Sequence, residues 1–290
     1  MKIPKDFYDK NIDFIDLVMD DKGILHGKSK IIDRLGFLPS TIWKPDKNIT
    51  LILKNIVGDK SQCRKSLNAH MSYRRNGVND SKPSVFNPHL SQMILAAYCS
   101  KKSKIYDPFA GGGTRGYIST KMGHDYFGVE LRKEEVERIK EMFIKWGIKF
   151  DIINEDSINY KPQKEAYDFS FTCPPYYNLE RYSNLDNDLS NNKSYNIFLD
   201  NIKKVLKNTY DALKSNSFCV WVVGNFRNKK GEMTHFNGDI VKLANEVGFK
   251  FWDEIIWNGA SSVALTRSGK FLSNRKAIRI HEYILIFKKE

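Results

Sequence analysis

Cysteine is scarce in this chain. Only Cys63, Cys99, Cys173 and Cys219 occur in 290 residues, without the close pairing a zinc site uses. That spacing argues against a disulfide scaffold and fits a protein whose thiols stay reduced. Long apolar runs are also missing. Stretches such as MILAAYC (93–99) are far too short to span a bilayer, and the opening MKIPKDFYDKN lacks the apolar centre of a signal peptide. Repeats and low-complexity tracts are absent. The expectation is a soluble cytoplasmic protein, with neither a membrane nor a metal as partner. Acidic residues fall short of basic ones, 34 against 47, for a net charge of +13. Such an excess favours a polyanionic partner, nucleic acid before membrane surface. The lysine-rich usage of an AT-rich genome would produce the same balance.

What is present is an alternation of strand and helix from about residue 86 onward. Residues 87–99 show helical apolar spacing with Pro88 near the start. KIYD (104–107) and DYFGVEL (125–131) are short strands. TRGYISTKM (114–122) reads as a helix closed by Gly123, and 132–146 as an amphipathic helix ending at Gly147. FDIINED, YDFSFT, SFCVWVV, FWDEIIW and EYILIF supply five more strands. The segments 196–214 and 238–247 supply two more helices. This order predicts an α/β fold with a doubly wound, Rossmann-like sheet of seven strands over 86–290. Residues 1–85 are left as a small, mostly helical, basic N-terminal extension. Within it, 28–43 has a helix-turn-helix rhythm, with a second helix after Ser40-Thr41. Residues 60–76 carry five basic residues, Arg74 and Arg75 among them, and no acid. They read either as a phosphate-contacting arm or as a solvated loop.

The segment KIYDPFAGGGTRG holds Gly111, Gly113 and Gly116 in a G-x-G-x-x-G pattern between a strand and a helix. Glu130 follows nineteen positions after Gly111 at the end of the next strand, where a carboxylate can accept from both ribose hydroxyls. The site therefore suits a nucleoside-containing cofactor. A dinucleotide would place its pyrophosphate on the helix N-terminus. Asp107, four residues ahead of Gly111, suits a cationic ligand group better, as in S-adenosylmethionine.

Further on, apolar residues run to Phe171 and break into Thr172-Cys173-Pro174-Pro175-Tyr176-Tyr177. A strand cannot continue through two prolines, which have no N–H for the ladder. The pair thus forms a stiff loop just past a strand end, where open α/β sheets bind ligands.

Together, Asp107-Pro-Phe-Ala-Gly-Gly-Gly-Thr and Thr172-Cys-Pro-Pro-Tyr resemble the two motifs of the S-adenosylmethionine-dependent DNA amino-methyltransferases, which act on adenine N6 or cytosine N4. The similarity covers roughly 84–290. Leu179-Glu180-Arg181-Tyr182-Ser183, Asp188-Leu189-Ser190 and VVGNFRNKKG (222–231) are most similar to the DNA methylases of bacteriophages and prophages. The resemblance implies a class I methyltransferase sheet whose last strands form an antiparallel hairpin. It places methionine-binding groups at Asp107, Phe109, Gly111, Gly113 and Thr114, the ribose at Glu130, and the adenine amino group at Asp156, with Phe86 leading into the site. Asp156 alone would read equally well as a helix N-cap. The catalytic loop would be Cys173, Pro174, Pro175 and Tyr176. The Pro174 carbonyl and its predecessor would accept from the target amine, and Tyr176 would stack on a base flipped out of the duplex. Tyr177 is expected at the same pocket, on the nucleic acid.

Cys173 departs from the family pattern, which has Asp, Asn or Ser there, and a thiol is a weak acceptor. It is open to three readings: a weak acceptor, a small strand-end residue, or a nucleophile toward a pyrimidine ring. Enzymes of that last kind place their Cys after the prolines. The partner implied is DNA, with RNA the nearest rival and a non-catalytic nucleic-acid-binding module the rival from another class. A nuclease partner or a homodimer is not readable. Residues 259–279, with Arg267, Lys270 and Arg275 and no acid, are expected to meet phosphates or guanine.

Overall fold

The computed structural model describes residues 37, 39–57, 86–178, 183, 185–228, 230–259, 269 and 271–290. Strands are β1 (Ile42–Trp43), β2 (Lys104–Asp107), β3 (Asp125–Glu130), β4 (Asp151–Asn154), β5 (Tyr167–Thr172), β6 (Leu213–Val223), β7 (Phe226–Arg227), β8 (Met233–Thr234), β9 (Lys250–Asn258) and β10 (His281–Lys288). Helices are α1 (Lys47–Val57), α2 (Pro88–Tyr98), α3 (Thr114–Lys121), α4 (Lys133–Trp146), α5 (Tyr195–Ala212) and α6 (Phe236–Val247).

Eight strands make one sheet in the order β1-β9-β10-β6-β5-β2-β3-β4, and β7 and β8 form a separate antiparallel ribbon. The β6-β5-β2-β3-β4 portion is parallel. β10 is antiparallel to both β9 and β6, so the expected terminal hairpin is present. The doubly wound fold class therefore stands, with its seven strands over 86–290 all in the sheet and one more joining from before them. The eighth strand is β1, which pairs parallel with β9 through Ile42 opposite Ile256 and Trp43 opposite Trp257. Ile42–Trp43 is thus a strand where the helix-turn-helix rhythm placed a helix. The rest of that rhythm lies almost wholly outside the described residues. Two-residue strands such as β1 and β7 are too short to show a period.

The sheet separates two apolar layers, and β6 shows why. Val220 and Val222 face the layer containing Leu90, Ile94, Ile118 and Ile139 of α2, α3 and α4. Cys219, Trp221 and Val223 face the layer containing Phe198, Ile202, Phe236 and Ile240 of α5 and α6. Alternation along one strand feeds both cores, as a sheet covered on both faces requires. Trp43 and Leu53 are fully buried in the first layer, so residues 42–57 pack into the same core as the rest.

Local signals set the element ends. Asn87 caps α2 by accepting from His89 N–H and Leu90 N–H, with Pro88 in the first turn. Ser194 caps α5 through Ile197 N–H. Gly147 ends α4 in the left-handed region at φ 63°.

Candidate active site

A cleft opens at the C-terminal ends of β2, β3 and β5. It lies where the winding of the sheet reverses, between β2 and β5. Its walls include Phe86, Phe109, Gly111 and Thr114 from the first motif, Glu130 and Asp156 from the next two strand ends, and Cys173, Pro174, Pro175 and Tyr176 from the second motif. Two motifs about sixty residues apart in sequence are brought to one cavity.

The glycine turn follows from its backbone. Gly111 sits at φ 55° and Gly113 at φ 79°, both in the left-handed region that disfavours a side chain. Gly113 is not on the cavity wall. An added Cβ there would lie 3.1 Å from Ile139 and 3.2 Å from Trp146, so it lets α3 start hard against α4. Gly116 has a similar task, since a Cβ would lie 2.6 Å from the Phe150 ring. Of the three motif glycines, only Gly111 faces the cleft.

Asp107 is also behind the wall rather than on it. It is fully buried and accepts from Arg115 Nε at 2.6 Å, Tyr126 Oη at 2.7 Å, Thr172 Oγ1 at 2.6 Å and Phe109 N at 3.0 Å. The expectation that it meets a ligand cation directly is therefore corrected: its counter-charge is the protein's own Arg115. Burial works against the Arg115 charge, and the Asp107 carboxylate more than restores it. The guanidinium packs 4.8 Å from the Phe86 ring, donates to the Phe109 carbonyl and itself reaches the cleft. The sequence motif held Arg115 in plain view, eight residues after Asp107. Only the fold shows that the first turn of α3 points it back at β2.

Glu130 lies at the cleft with one oxygen accepting from Gly111 N at 3.0 Å and the other from Arg132 N at 2.9 Å. Burial pushes its carboxyl up to about 7, while the Arg132 N–H and charge pull the other way. On the same side, Arg138 of α4 donates to the Gly112 carbonyl at 3.1 Å and pairs with Glu135, fixing the outside of the glycine turn. Asp156 is at the cleft, yet both its oxygens have local partners. Oδ1 accepts from Ile158 N at 2.9 Å, and Oδ2 from Asn159 at 2.7 Å and Asn187 at 3.1 Å. The turn-capping reading of Asp156 is thus realised beside its position on the wall.

In the second motif, Tyr176 meets Phe226 and Phe236 edge-on at 6.3 and 6.1 Å, and its hydroxyl lies 3.4 Å from Glu282 of β10. Tyr177 turns the other way, packs on Tyr195 and Phe198 at 5.6 Å each, and is absent from the cleft wall. Its expected place beside Tyr176 is corrected, because successive residues of an extended chain point to opposite sides. Asp188, quoted above only for its motif, proves to be the knot of the covering loop. Its oxygens accept from the N–H and hydroxyl of Ser183 and of Ser190 at 2.6 to 2.9 Å, and its side chain reaches the cleft. Arg275 is exposed in a turn at φ 52° and is not on the wall. Arg74, Arg75, Arg267 and Lys270 lie outside the described residues. No helix among the described residues is long and apolar enough to cross a membrane, and no cluster of three or more metal-ligand side chains occurs among them.

The fold and site define an α/β protein whose glycine turn and Pro-Pro-Tyr loop wall one cleft, and comparison with known proteins makes the class specific. Residues 28–141 and 167–290 match the DNA methylase family N6_N4_Mtase, so the chain belongs to that family, as the two motifs implied. It is similar to the type II methyltransferase M.MjaVI of Methanocaldococcus jannaschii, 33% identical over 122 residues, covering 42% of this chain and 60% of that protein. It is also similar to the type II beta methyltransferase M.BslI of a Bacillus species, 30% identical over 168 residues, covering 51% of this chain and 17% of the relative. The matches thus span less than two thirds of either relative. Among solved structures, the [4+2]-cyclase SpnF superposes with a TM-score of 0.51 at 12% identity, over 79% of this chain and 92% of that one. At that identity the likeness concerns the fold alone.

Proposed function

We propose that this protein transfers a methyl group from S-adenosylmethionine to an exocyclic amino nitrogen of adenine or cytosine in DNA. The observation that carries the reading is that one cleft is walled both by the glycine turn with Glu130 and by the Cys173-Pro174-Pro175-Tyr176 loop. The residues present fit the cofactor. Glu130 offers a two-oxygen acceptor for a ribose diol, Asp156 an acceptor for an adenine amino group, and Phe86, Phe109 and Ile158 apolar surface. Bound there, S-adenosylmethionine would supply an electrophilic methyl on a sulfonium.

The chain's own contribution is positioning. An exocyclic amine is a poor nucleophile because its lone pair is delocalised into the base. Carbonyl acceptors at Cys173 and Pro174 favour a localised lone pair by accepting both N–H groups, and the two prolines hold those acceptors in place. Tyr176 stacks on the base, which must leave the duplex to reach the cleft. Asp188, with its oxygens engaged by Ser183 and Ser190, shapes the loop at the cleft.

The test is transfer of radiolabelled methyl from S-adenosylmethionine to duplex DNA and, separately, to total RNA. Label on the amino nitrogen of a DNA base is expected. Label confined to RNA, or none in either, would overturn the reading.

A further inference from the structure

Beside Tyr176 stands a cationic wall that belongs to neither motif. Arg279, just before β10, is exposed, and its guanidinium packs over Gly224, just after β6. An added Cβ at Gly224 would lie 3.2 Å from the Tyr176 hydroxyl and 3.7 Å from Arg279 Cζ, so both side chains converge on that one glycine. The β7–β8 ribbon continues the surface. Arg227 donates to the Gly231 carbonyl at 3.1 Å, and the Lys276 ammonium packs directly over Gly231, itself at φ 81°. Lys230 and Arg275 are exposed on the same two segments. Among the described residues of 224–234 and 271–282, five cations face two carboxylates, and both acids are engaged. Glu232 accepts from Asn228 at 2.7 Å, and Glu282 lies against the Tyr176 hydroxyl.

We propose that Arg279, Lys276 and Arg227 hold backbone phosphates of the DNA strand whose target nucleotide enters the cleft at Tyr176. This inference rests on the DNA reading of the site. A flipped nucleotide remains tied to its strand by the phosphates on either side, so cations beside the base-stacking aromatic are placed to meet them. Glycine at 224 and 231 lets the basic side chains lie against backbone, which leaves the outer side of the wall open to a partner. The wall sets position and not sequence, because phosphate contacts carry no base information.

The experiment measures binding of a fluorescent 30-base-pair DNA duplex by the full chain at several salt concentrations. Three proteins are compared: wild type, Arg279→Ala/Lys276→Ala, and a control, Lys140→Ala/Lys145→Ala on α4. Each lost phosphate contact lowers the slope of log K against log salt by about 0.9, so the wall variant should lose about two units and the control none. Calorimetric affinity for S-adenosylmethionine should be the same in all three. An unchanged slope in the wall variant, an equal loss in the control, or a loss seen with single-stranded RNA but not with the duplex would each overturn the proposal. Methyl transfer by the wild type is scored separately. An active enzyme with an unaltered slope sinks the wall alone, whereas an altered slope in an enzyme that methylates no DNA sinks the amino-methyltransferase reading alone.

Discussion

Thr172 Oγ1 donates to Asp107 Oδ1 at 2.6 Å, tying the residue before the Pro-Pro-Tyr loop to the residue that opens the glycine turn. The same carboxylate holds Phe109 N–H and Arg115. The glycine-turn side and the Pro-Pro-Tyr side of the cleft therefore share one buried anchor, though sixty-five residues separate its two ends in sequence.

Asp107→Asn removes the counter-charge of Arg115 while keeping the shape. Both side chains are almost wholly buried, so the unpaired cation should cost about 3–5 kcal/mol of stability. Urea unfolding should show a lowered midpoint, and methyl transfer should fall with it. A midpoint equal to wild type would mean that the pair is not the anchor described.

The shifted Glu130 carboxyl predicts a pH dependence. Its folded value, near 7, lies above the ordinary 4.5, so the folded chain holds an extra proton between those values. The stability this proton confers is full below about pH 4.5 and is lost as pH rises through 7. Cofactor binding has the opposite sign, because the ionised carboxylate is the better acceptor for ribose hydroxyls. S-adenosylmethionine affinity should therefore weaken about tenfold between pH 8 and pH 6, as follows from titration near 7. Calorimetry at the two pH values checks this, and Glu130→Gln should bind weakly at both.

Cys173 lines the cleft as a thiol outside any disulfide. As a weak acceptor it should be replaceable, and Cys173→Ser should keep or raise amino methylation. Loss of activity in that variant, together with covalent trapping of the wild type by a 5-fluoropyrimidine duplex, would show a nucleophile and overturn the amino-nitrogen reading.

Tyr176→Ala should lower kcat/KM for DNA about tenfold to a hundredfold, the range expected from losing about 1–3 kcal/mol of stacking. Tyr176→Phe keeps the ring and gives up the 3.4 Å contact with Glu282, so its effect should stay within a few-fold. Neither change should alter cofactor affinity. Equal losses in both variants would assign the effect to the hydroxyl instead of the ring.

Much of this was legible in the sequence because the relevant signals are local. Strand, turn, helix and acid follow in order from Lys104 to Glu130, and two prolines mark the end of β5 without ambiguity. What stayed hidden is tertiary. Asp107 has the same spacing whether it meets a ligand or Arg115, and only its depth distinguishes the two. Tyr176 and Tyr177 are adjacent and chemically identical, yet one faces the cleft and the other packs on Phe198. Arg279 and Tyr176 are far apart in the chain, and no periodicity could have joined them over Gly224.

The buried thiols give the protein a built-in probe. Cys99 and Cys219 are enclosed and pushed up to about 12 by burial, so neither forms an appreciable thiolate near neutral pH. With Cys63 replaced by serine, an alkylating dye should label Cys173 ahead of the other two. Its rate of attachment would then report, in real time and without any methyl transfer, when a ligand fills the cleft.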